Sequence, residues 1–251
     1  MKFALRRKWG ESMETKNQVG FRIYQDIKRP PQELVEAFRG ISSCCVSDQT
    51  SRMYCLSPSL RPLTMQPLLG VALTVRTSQG DNLMIHKAID MAQPGDVIVV
   101  SAGGQSARSV VGEMMVRHAA ARGVAGFVID GMTRDPAGIR EAGIPVYSLG
   151  NVILGSLRAG PGEINVPISC GGSVVMPGDI ILGDADGIVS LRPADAKEIV
   201  GAAREKHEKE LAKQVKYRAG AVSASDRSWI DKALSEKRVP VLGRWGADDE
   251  S

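Results

Sequence analysis

ARGVAGFVIDGMTRD, residues 121–135, turns at Gly123, runs apolar through Phe127, Val128 and Ile129, and then closes on charge. A short apolar run bounded by glycine reads as a buried strand. Its end, Asp130, Gly131, Met132, Thr133, Arg134 and Asp135, gathers acids, a base and a glycine within a few positions. A strand that changes from apolar to charged is leaving the core for the rim, where sites are built. A solvated turn is the plainer reading of the same residues.

Working outward, SVVGEMMVRHAAAR (109–122) reads as a helix feeding Gly123, with GVAGFVIDG (123–131) as the strand. DPAGIREAG (135–143) follows as a turn and helix, and PVYSLG (145–150) as another strand. Upstream, GVALTVRT (70–77) reads as a strand and PGDVIVVSAGG (94–104) as turn, strand and turn. Between them DNLMIHKAIDMA (81–92) is an amphipathic helix with Leu83, Ile85, Ala88 and Ile89 inward. Strands alternating with helices predict an α/β core in which strand ends and helix starts meet on one side. A second PGD, in PGDIILGDADGIVSL (177–191), echoes the first, because Pro fixes φ and Gly supplies positive φ before an apolar run.

The flanks differ in texture. Residues 1–29 are polar and mixed and read as an N-terminal arm, ending where Pro30 and Pro31 precede a helical pattern. Residues 30–220 form the expected domain. DAKEIVGAAREKHEKELAKQVKYRAG (195–220) is strongly helical, and 221–251 reads as a C-terminal extension with a short helix. The prolines of LSPSLRPLTMQPLLG (56–70) argue against regular elements there.

Composition narrows the function classes. A chain of 251 residues with 43% apolar and 24% charged residues can bury a sizeable core and is neither disordered nor fibrous. Aromatics are only 4%, too few for stacking single-stranded nucleic acid. The net charge of +4 comes from interspersed Lys and Arg, so no nucleic-acid footprint is expected. MKFALRRKWGES lacks the apolar stretch of a signal peptide, and no apolar run nears the roughly 20 residues of a membrane span. These features predict a cytoplasmic protein with no membrane partner. Cys44, Cys45, Cys55 and Cys170 lack zinc-site spacing and are expected as reduced thiols. No GxxxxGK[ST], GxGxxG behind a strand, HExxH or GxSxG occurs, which removes the usual handles of several enzyme classes. His86, His118 and His207 are isolated and read as packing or surface residues.

Two local patterns carry chemistry. Gly112-Glu113-Met114-Met115 lies at or near a helix start, where unpaired backbone N–H groups can receive a carboxylate or phosphate. Spacing leaves open the alternative that Gly112 is mid-helix for packing, with Glu113 solvated. Asp135, beside Arg134 and near Asp130, is either half of a surface ion pair or part of an oxygen-rich set that suits Mg²⁺. An adjacent arginine could then grip an anionic substrate.

The succession GDNLMIHKAI (80–89), PGDVIVV (94–100), GGQSAR (103–108), GEMM (112–115), ARGVAGFVIDGMTRD, AGIPVYSLG (142–150) and PGDIILGDADGIV (177–189) resembles one known family. It is that of the 4-hydroxy-4-methyl-2-oxoglutarate/4-carboxy-4-hydroxy-2-oxoadipate aldolases and the regulator of ribonuclease activity A (RraA), whose members were formerly mislabelled demethylmenaquinone methyltransferases. The similarity runs over roughly residues 34–215. It implies a swivelling β/β/α layered sandwich, a single domain with a helical C-terminal extension, assembled as a homotrimer or a dimer of trimers. The implied activity is that of a divalent-metal-dependent class II aldolase cleaving a 4-hydroxy-2-oxo acid to pyruvate, with oxaloacetate decarboxylation as a side activity.

By the same resemblance, Asp135 holds Mg²⁺ or Mn²⁺ directly and Glu113 reaches the ion through water. Arg134 binds the 2-keto oxygen and stabilises the enolate. The backbone amides of Gly112, Glu113, Met114 and Met115 receive the pyruvyl carboxylate, and Asp130 and Gly131 shape the turn. A carboxylate from a neighbouring subunit's C-terminal helix, Glu210 or else Glu208, with Glu205 as a third candidate, also acts through water. The branch without that carboxylate is a non-catalytic trimeric regulator that binds a ribonuclease or other protein. Met114-Met115 replaces the usual leucines, and the arm and the tail after Gly220 exceed the short members of the family.

Overall fold

The computed structural model describes residues 19–242. The chain opens with β1 (Phe21–Ile23), α1 (Gln32–Glu36), α2 (Ser43–Gln49), β2 (Arg61–Pro62) and β3 (Leu68–Thr77). The central part runs α3 (Leu83–Met91), β4 (Asp96–Ser101), α4 (Glu113–Ala121), β5 (Gly126–Thr133), α5 (Pro136–Glu141) and β6 (Val146–Asn151). Then come β7 (Gly162–Ile164), β8 (Ile168–Cys170), β9 (Ser173–Val175), β10 (Ile180–Gly183), β11 (Ile188–Leu191), α6 (Pro193–Arg218) and α7 (Ser228–Glu236).

β3, β4, β5 and β6 pair in parallel and carry the large sheet, while β7 and β10 run antiparallel to β3, and β2 runs antiparallel to β6. The alternation along β4 explains the layering. Ile98 and Val100 face α3 and α4, packing with Ile85, Ile89, Val116 and Phe127. Val97 and Val99 point the other way, to Leu56, Val128, Ile168, Cys170 and Val175 of a layer that includes the β8–β9 hairpin. A strand covered on both faces must be apolar throughout, and DVIVVS is. A third cluster joins Phe38 and Val46 to Ile180, Leu191 and Ala196. Fully burying one such Ile, Val or Phe contributes about 1.5–3 kcal/mol. The result is one mixed α/β domain, a helix layer and a hairpin layer flanking one sheet, followed by a C-terminal helix.

Contacts divide the chain at 207/208 into two units. In the second, beyond the end of α6, Ser223 and Asp226 form a capping box on a short 3₁₀ turn and Lys216 Nζ donates to Asp226 Oδ1 at 2.8 Å. Lys216 and the Ser223 amide hold the Asp226 carboxyl well below the usual carboxylate range.

The structure corrects several expectations. The helix predicted over 109–122 starts at Glu113, because Val111 instead bridges Thr133 as an extension of the sheet and Gly112 stays extended at φ −134°, ψ 178°. The strand predicted over 123–131 runs from Gly126 to Thr133. Asp130 and Gly131 therefore do not form the turn. They sit in an irregularity of the β5–β6 register between Ile129 and Met132, where Asp130 Oδ2 accepts from Gly171 N at 2.9 Å. Leu83, expected inward, is 39% exposed, since α3 begins there and Met84 takes the buried position.

The proline-rich stretch does hold the two-residue β2. Of the expected arm, residues 1–18 lie outside the described residues. The remainder is bound to the core: β1 pairs in parallel with β7, and Arg29 forms an ion pair with Asp96 of the first PGD turn. Among the described residues no cysteine forms a disulfide, and no helix is long and apolar enough to cross a membrane.

Candidate functional site

β5 ends one residue short of the Arg134-Asp135 pair, and three contacts fix that end. Thr133 is fully buried and its hydroxyl donates to Asn151 Oδ1 at 2.8 Å. Arg134 N donates to Val111 O at 3.0 Å, and Val152 N to Thr133 O at 2.8 Å. The chain then turns sharply. Asp135 adopts φ 58°, ψ 49°, a left-handed conformation that costs about 1–2 kcal/mol for most residues and less for Asp and Asn. Pro136 follows at the first turn of α5 and disfavours right-handed helix for its predecessor.

The Val111–Thr133 bridge lays Gly112 across this turn. A Cβ on Gly112 would lie 2.9 Å from Asp135 Oδ2 and 3.2 Å from Arg134 Nε. Gly155 plays the same part for the guanidinium, since its Cβ would lie 3.0 Å from Arg134 Nη1. Gly138, in the first turn of α5, receives the Glu113 carboxylate, whose Oε2 would be 2.1 Å from a Cβ there. Glycines thus form the cradle in which both acids and the arginine lie. Arg134 Nε and Asp135 Oδ2 are 3.4 Å apart and both side chains are half exposed. Glu113 Oε1 also accepts from Arg117 Nε at 2.7 Å.

Of the predicted amides, Met115 N is engaged, donating to Gly112 O at 3.1 Å. Glu113 and Met114 occupy the first two helical positions, where N–H groups have no intrahelical acceptor and the helix dipole is positive. The two methionines differ: Met114 is 76% exposed, whereas Met115 is buried and its sulfur accepts from Asn82 Nδ2 at 3.4 Å.

Gly112, Met114, Arg134 and Asp135 line one cavity of about 220 Å³ together with residues that sequence reasoning did not assign to the site: Asn82, His86, Gly155, Ser156 and Arg158. His86, whose isolation in sequence predicts a packing or surface residue, thus lines the cavity. Burial, and next the positive Arg158, hold its imidazole below the ordinary range. The Arg134-Asp135 pair also borders a wider depression lined by Pro136, Asn151, Val152 and Ile153. Glu208 and Glu210 lie on the part of α6 in the second unit and are exposed, as is Glu205 in the first.

Among the described residues, no three His, Cys, Asp or Glu side chains converge as a metal cage. That does not suit a structural zinc ion, which takes four close nitrogen or sulfur ligands. A carboxylate in a glycine cradle, with a second acid packed against the first turn of the helix that follows it and solvent access to both, suits a hard oxygen-seeking cation that keeps most of its own water. Asp135 is the residue that could hold it.

Fold and site together define an α/β sandwich whose cavity opens at the carboxyl end of a central parallel strand, against a helix N-terminus and an Arg-Asp pair. A family model described as RraA-like, Aldolase/RraA, matches residues 43–190, more than half of the chain, and the chain belongs to this family. A protein of Halalkalibacterium halodurans named "Putative 4-hydroxy-4-methyl-2-oxoglutarate aldolase" is 37% identical over 183 residues, covering 72% of this chain and 87% of that one. Streptomyces coelicolor RraAS2, titled an unusual member of the RNase ES inhibitor RraA protein family, superposes with a TM-score of 0.68 at 28% identity, covering 75% of this chain and 99% of its own. The RNA-processing inhibitor RraA from "Thermus thermophilis" gives a TM-score of 0.56 at 29% identity, covering 59% and 91%.

Proposed function

We propose that the protein is a divalent-metal-dependent carbon–carbon lyase that cleaves a 4-hydroxy-2-oxo acid, such as 4-hydroxy-4-methyl-2-oxoglutarate, to pyruvate. The observation that carries this reading is the contact of Gly112 with both Arg134 and Asp135, which puts an anion-receiving helix start, a cation and a carboxylate within one small cavity. The aldolase name borne by the relative from Halalkalibacterium halodurans supports it.

The chain's own groups have distinct tasks. The amides of Glu113 and Met114 receive the carboxylate at C1 of the substrate, helped by the α4 dipole. Arg134 donates to the 2-oxo oxygen, and its planar fork strengthens that contact as negative charge develops there. In the cleavage the C4 hydroxyl loses its proton, C4 becomes a carbonyl, and the C3–C4 bond breaks with its electron pair entering the C2–C3 enolate. A proton at C3 completes pyruvate. Mg²⁺ or Mn²⁺ held at Asp135 supplies Lewis-acid charge to the 2-oxo acid. Glu113, turned toward Gly138 and tied to Arg117, orders solvent around that ion. Oxaloacetate decarboxylation follows as a side activity because it passes through the same enolate.

Assembly is part of the proposal. Ile153, 96% exposed, and the exposed Leu154 and Leu157 flank the cavity, and a neighbouring copy in a homotrimer or dimer of trimers covers such a surface. That neighbour brings Glu210 or Glu208. A second reading, a non-catalytic trimeric regulator, draws on the RraA structures, which are named as an RNA-processing inhibitor and as a member of an RNase ES inhibitor family; on it the protein binds a ribonuclease. One assay separates them. Purified protein with racemic 4-hydroxy-4-methyl-2-oxoglutarate, coupled to lactate dehydrogenase, releases pyruvate with Mg²⁺ and not with EDTA if the lyase reading holds. Silence on this substrate and on oxaloacetate, from protein shown to bind Mg²⁺, rejects it.

A further inference from the structure

The cavity wall contributed by the start of α3 and the 155–160 loop has no part in the mechanism above, yet it is the more firmly built side. Asp81, almost fully buried, joins the two segments. Its Oδ1 accepts from Leu83 N at 2.9 Å, and its Oδ2 accepts from Ala159 N at 2.6 Å and Gly160 N at 2.9 Å. Leu157 N donates to Gly80 O at 2.8 Å and Asn82 N to Leu157 O at 3.1 Å. Arg158 therefore has anchored backbone on both sides.

Its side chain is in a different situation. Arg158 lines the cavity, and among the described residues its guanidinium has neither a hydrogen bond nor an acidic partner. The other arginines around the site are occupied: Arg134 beside Asp135, Arg117 with Glu113 and Glu141, and Arg108 with Gly155 O. A second polar group on the same wall is also incomplete. Asn82 is 4% exposed, its Nδ2 faces the acceptor-only sulfur of Met115, and its Oδ1 is sealed from solvent with no donor. Because the sulfur fixes the orientation of the amide, Oδ1 cannot be exchanged for the amide nitrogen at no cost.

Resting on the lyase reading, we propose that Arg158 is a specificity-determining residue that pairs with a second carboxylate at the far end of the substrate, so that the site selects 2-oxo dicarboxylates over 2-oxo monocarboxylates. The anchored backbone keeps the guanidinium over the cavity without a protein partner, and a planar fork with free donors suits a carboxylate. The amino terminus of α4 and Arg134 hold one end of the ligand; Arg158 holds the other. His86, on the same wall, lies near enough to Arg158 to feel its charge.

Calorimetric titration with Mg²⁺ tests this with two unreactive probes, pyruvate and 2-oxoglutarate. Wild type binds 2-oxoglutarate about tenfold more tightly than pyruvate, and in Arg158→Gln that ratio falls to near one. Arg158 is exposed, and its replacement by Gln leaves the Asp81 backbone contacts in place. An equal ratio in the two proteins, from wild type that releases pyruvate from 4-hydroxy-4-methyl-2-oxoglutarate, overturns the role of Arg158 and leaves the lyase reading intact. Wild type that binds neither probe and releases no pyruvate overturns both.

Discussion

A methyl group on Gly112 would come within 2.9 Å of Asp135 Oδ2. The glycine is needed for this approach and not for its backbone, whose φ of −134° is ordinary extended conformation. Gly112→Ala should leave the fold within about 0.5 kcal/mol of wild type while pushing aside the carboxylate and the Arg134 side chain. A displacement near 1 Å at a reacting centre costs about 100-fold in rate. Pyruvate release should fall by that order with an unchanged melting temperature. Wild-type kinetics in this variant would show that the contact is packing alone.

Asp135 has two separable jobs, because it is both the carboxylate in the cradle and a residue in left-handed conformation. Asn tolerates that conformation and Ala does not. Asp135→Asn is therefore expected to melt like wild type, whereas Asp135→Ala loses about 1 kcal/mol of stability. Both should lose Mg²⁺-dependent turnover. Urea unfolding and titration with Mg²⁺ separate the two effects, and full activity in Asp135→Asn would remove Asp135 from the metal site.

Arg134 lies against Gly112 and Gly155, its Nη1 in the space a Gly155 side chain would need. A lysine there keeps the charge and loses the planar two-donor contact. Losing one preorganised donor to a developing oxyanion costs about 100- to 1,000-fold in kcat, and Arg134→Lys should fall in that range with its thermal stability retained. Kinetics near wild type would place the oxyanion contact elsewhere.

Much of this arrangement was legible from sequence because the strands and helices announce themselves by period, and GEMM and TRD carry the family's pattern. The boundaries were less legible. SVVG before Glu113 is as apolar as a first helical turn, and only the pairing of Val111 with Thr133 shows that it extends the sheet. Asp130-Gly131 has turn composition but lies inside β5, where the Asp130 side chain is used by Gly171 N. The wall formed by Asn82, His86 and Arg158 could not be read as one surface, since the start of α3 and the 155–160 loop lie far apart in the chain and meet only in the fold, through Asp81 and the backbone bonds of Leu157. Polar composition also disguised the segment before Pro30 as an arm. Its Arg22 and Arg29 have acidic partners, Glu163 and Asp96, that no local pattern reveals.

The Arg29–Asp96 pair gives that segment an energetic test. Asp96 is fully buried and accepts two contacts from Arg29, one at 3.0 Å, as well as Gln93 N at 2.9 Å. Removing one partner leaves a buried charge without compensation, which costs about 3–5 kcal/mol. Since Arg29 is partly exposed, Arg29→Ala should lie at the low end, about 3 kcal/mol, in urea unfolding. A loss below about 1 kcal/mol, the range of surface pairs, would show that the segment before Pro30 is not fastened through this contact.

The second PGD aspartate makes the opposite prediction. Asp179 is buried with no arginine or lysine bonded to it among the described residues, and desolvation raises its carboxyl above the ordinary value of 3.8 despite contacts from Met176 N and Ser190 Oγ. A carboxyl with a raised folded-state pKa binds its proton more tightly when folded. The stabilisation is fully present below 3.8 and is lost as pH rises through the folded value. At neutral pH the ionised Asp179 is therefore a burden on the fold. Both donors meet a single oxygen, Oδ2, at 2.9 and 3.1 Å, so an asparagine can place its one carbonyl oxygen there and keep both hydrogen bonds. Asp179→Asn should raise the melting temperature at pH 7, and the gain should shrink as the pH is lowered toward 4. A melting temperature lowered at pH 7 would mean that the charge itself, through Arg192, holds the open end of the β10–β11 hairpin together.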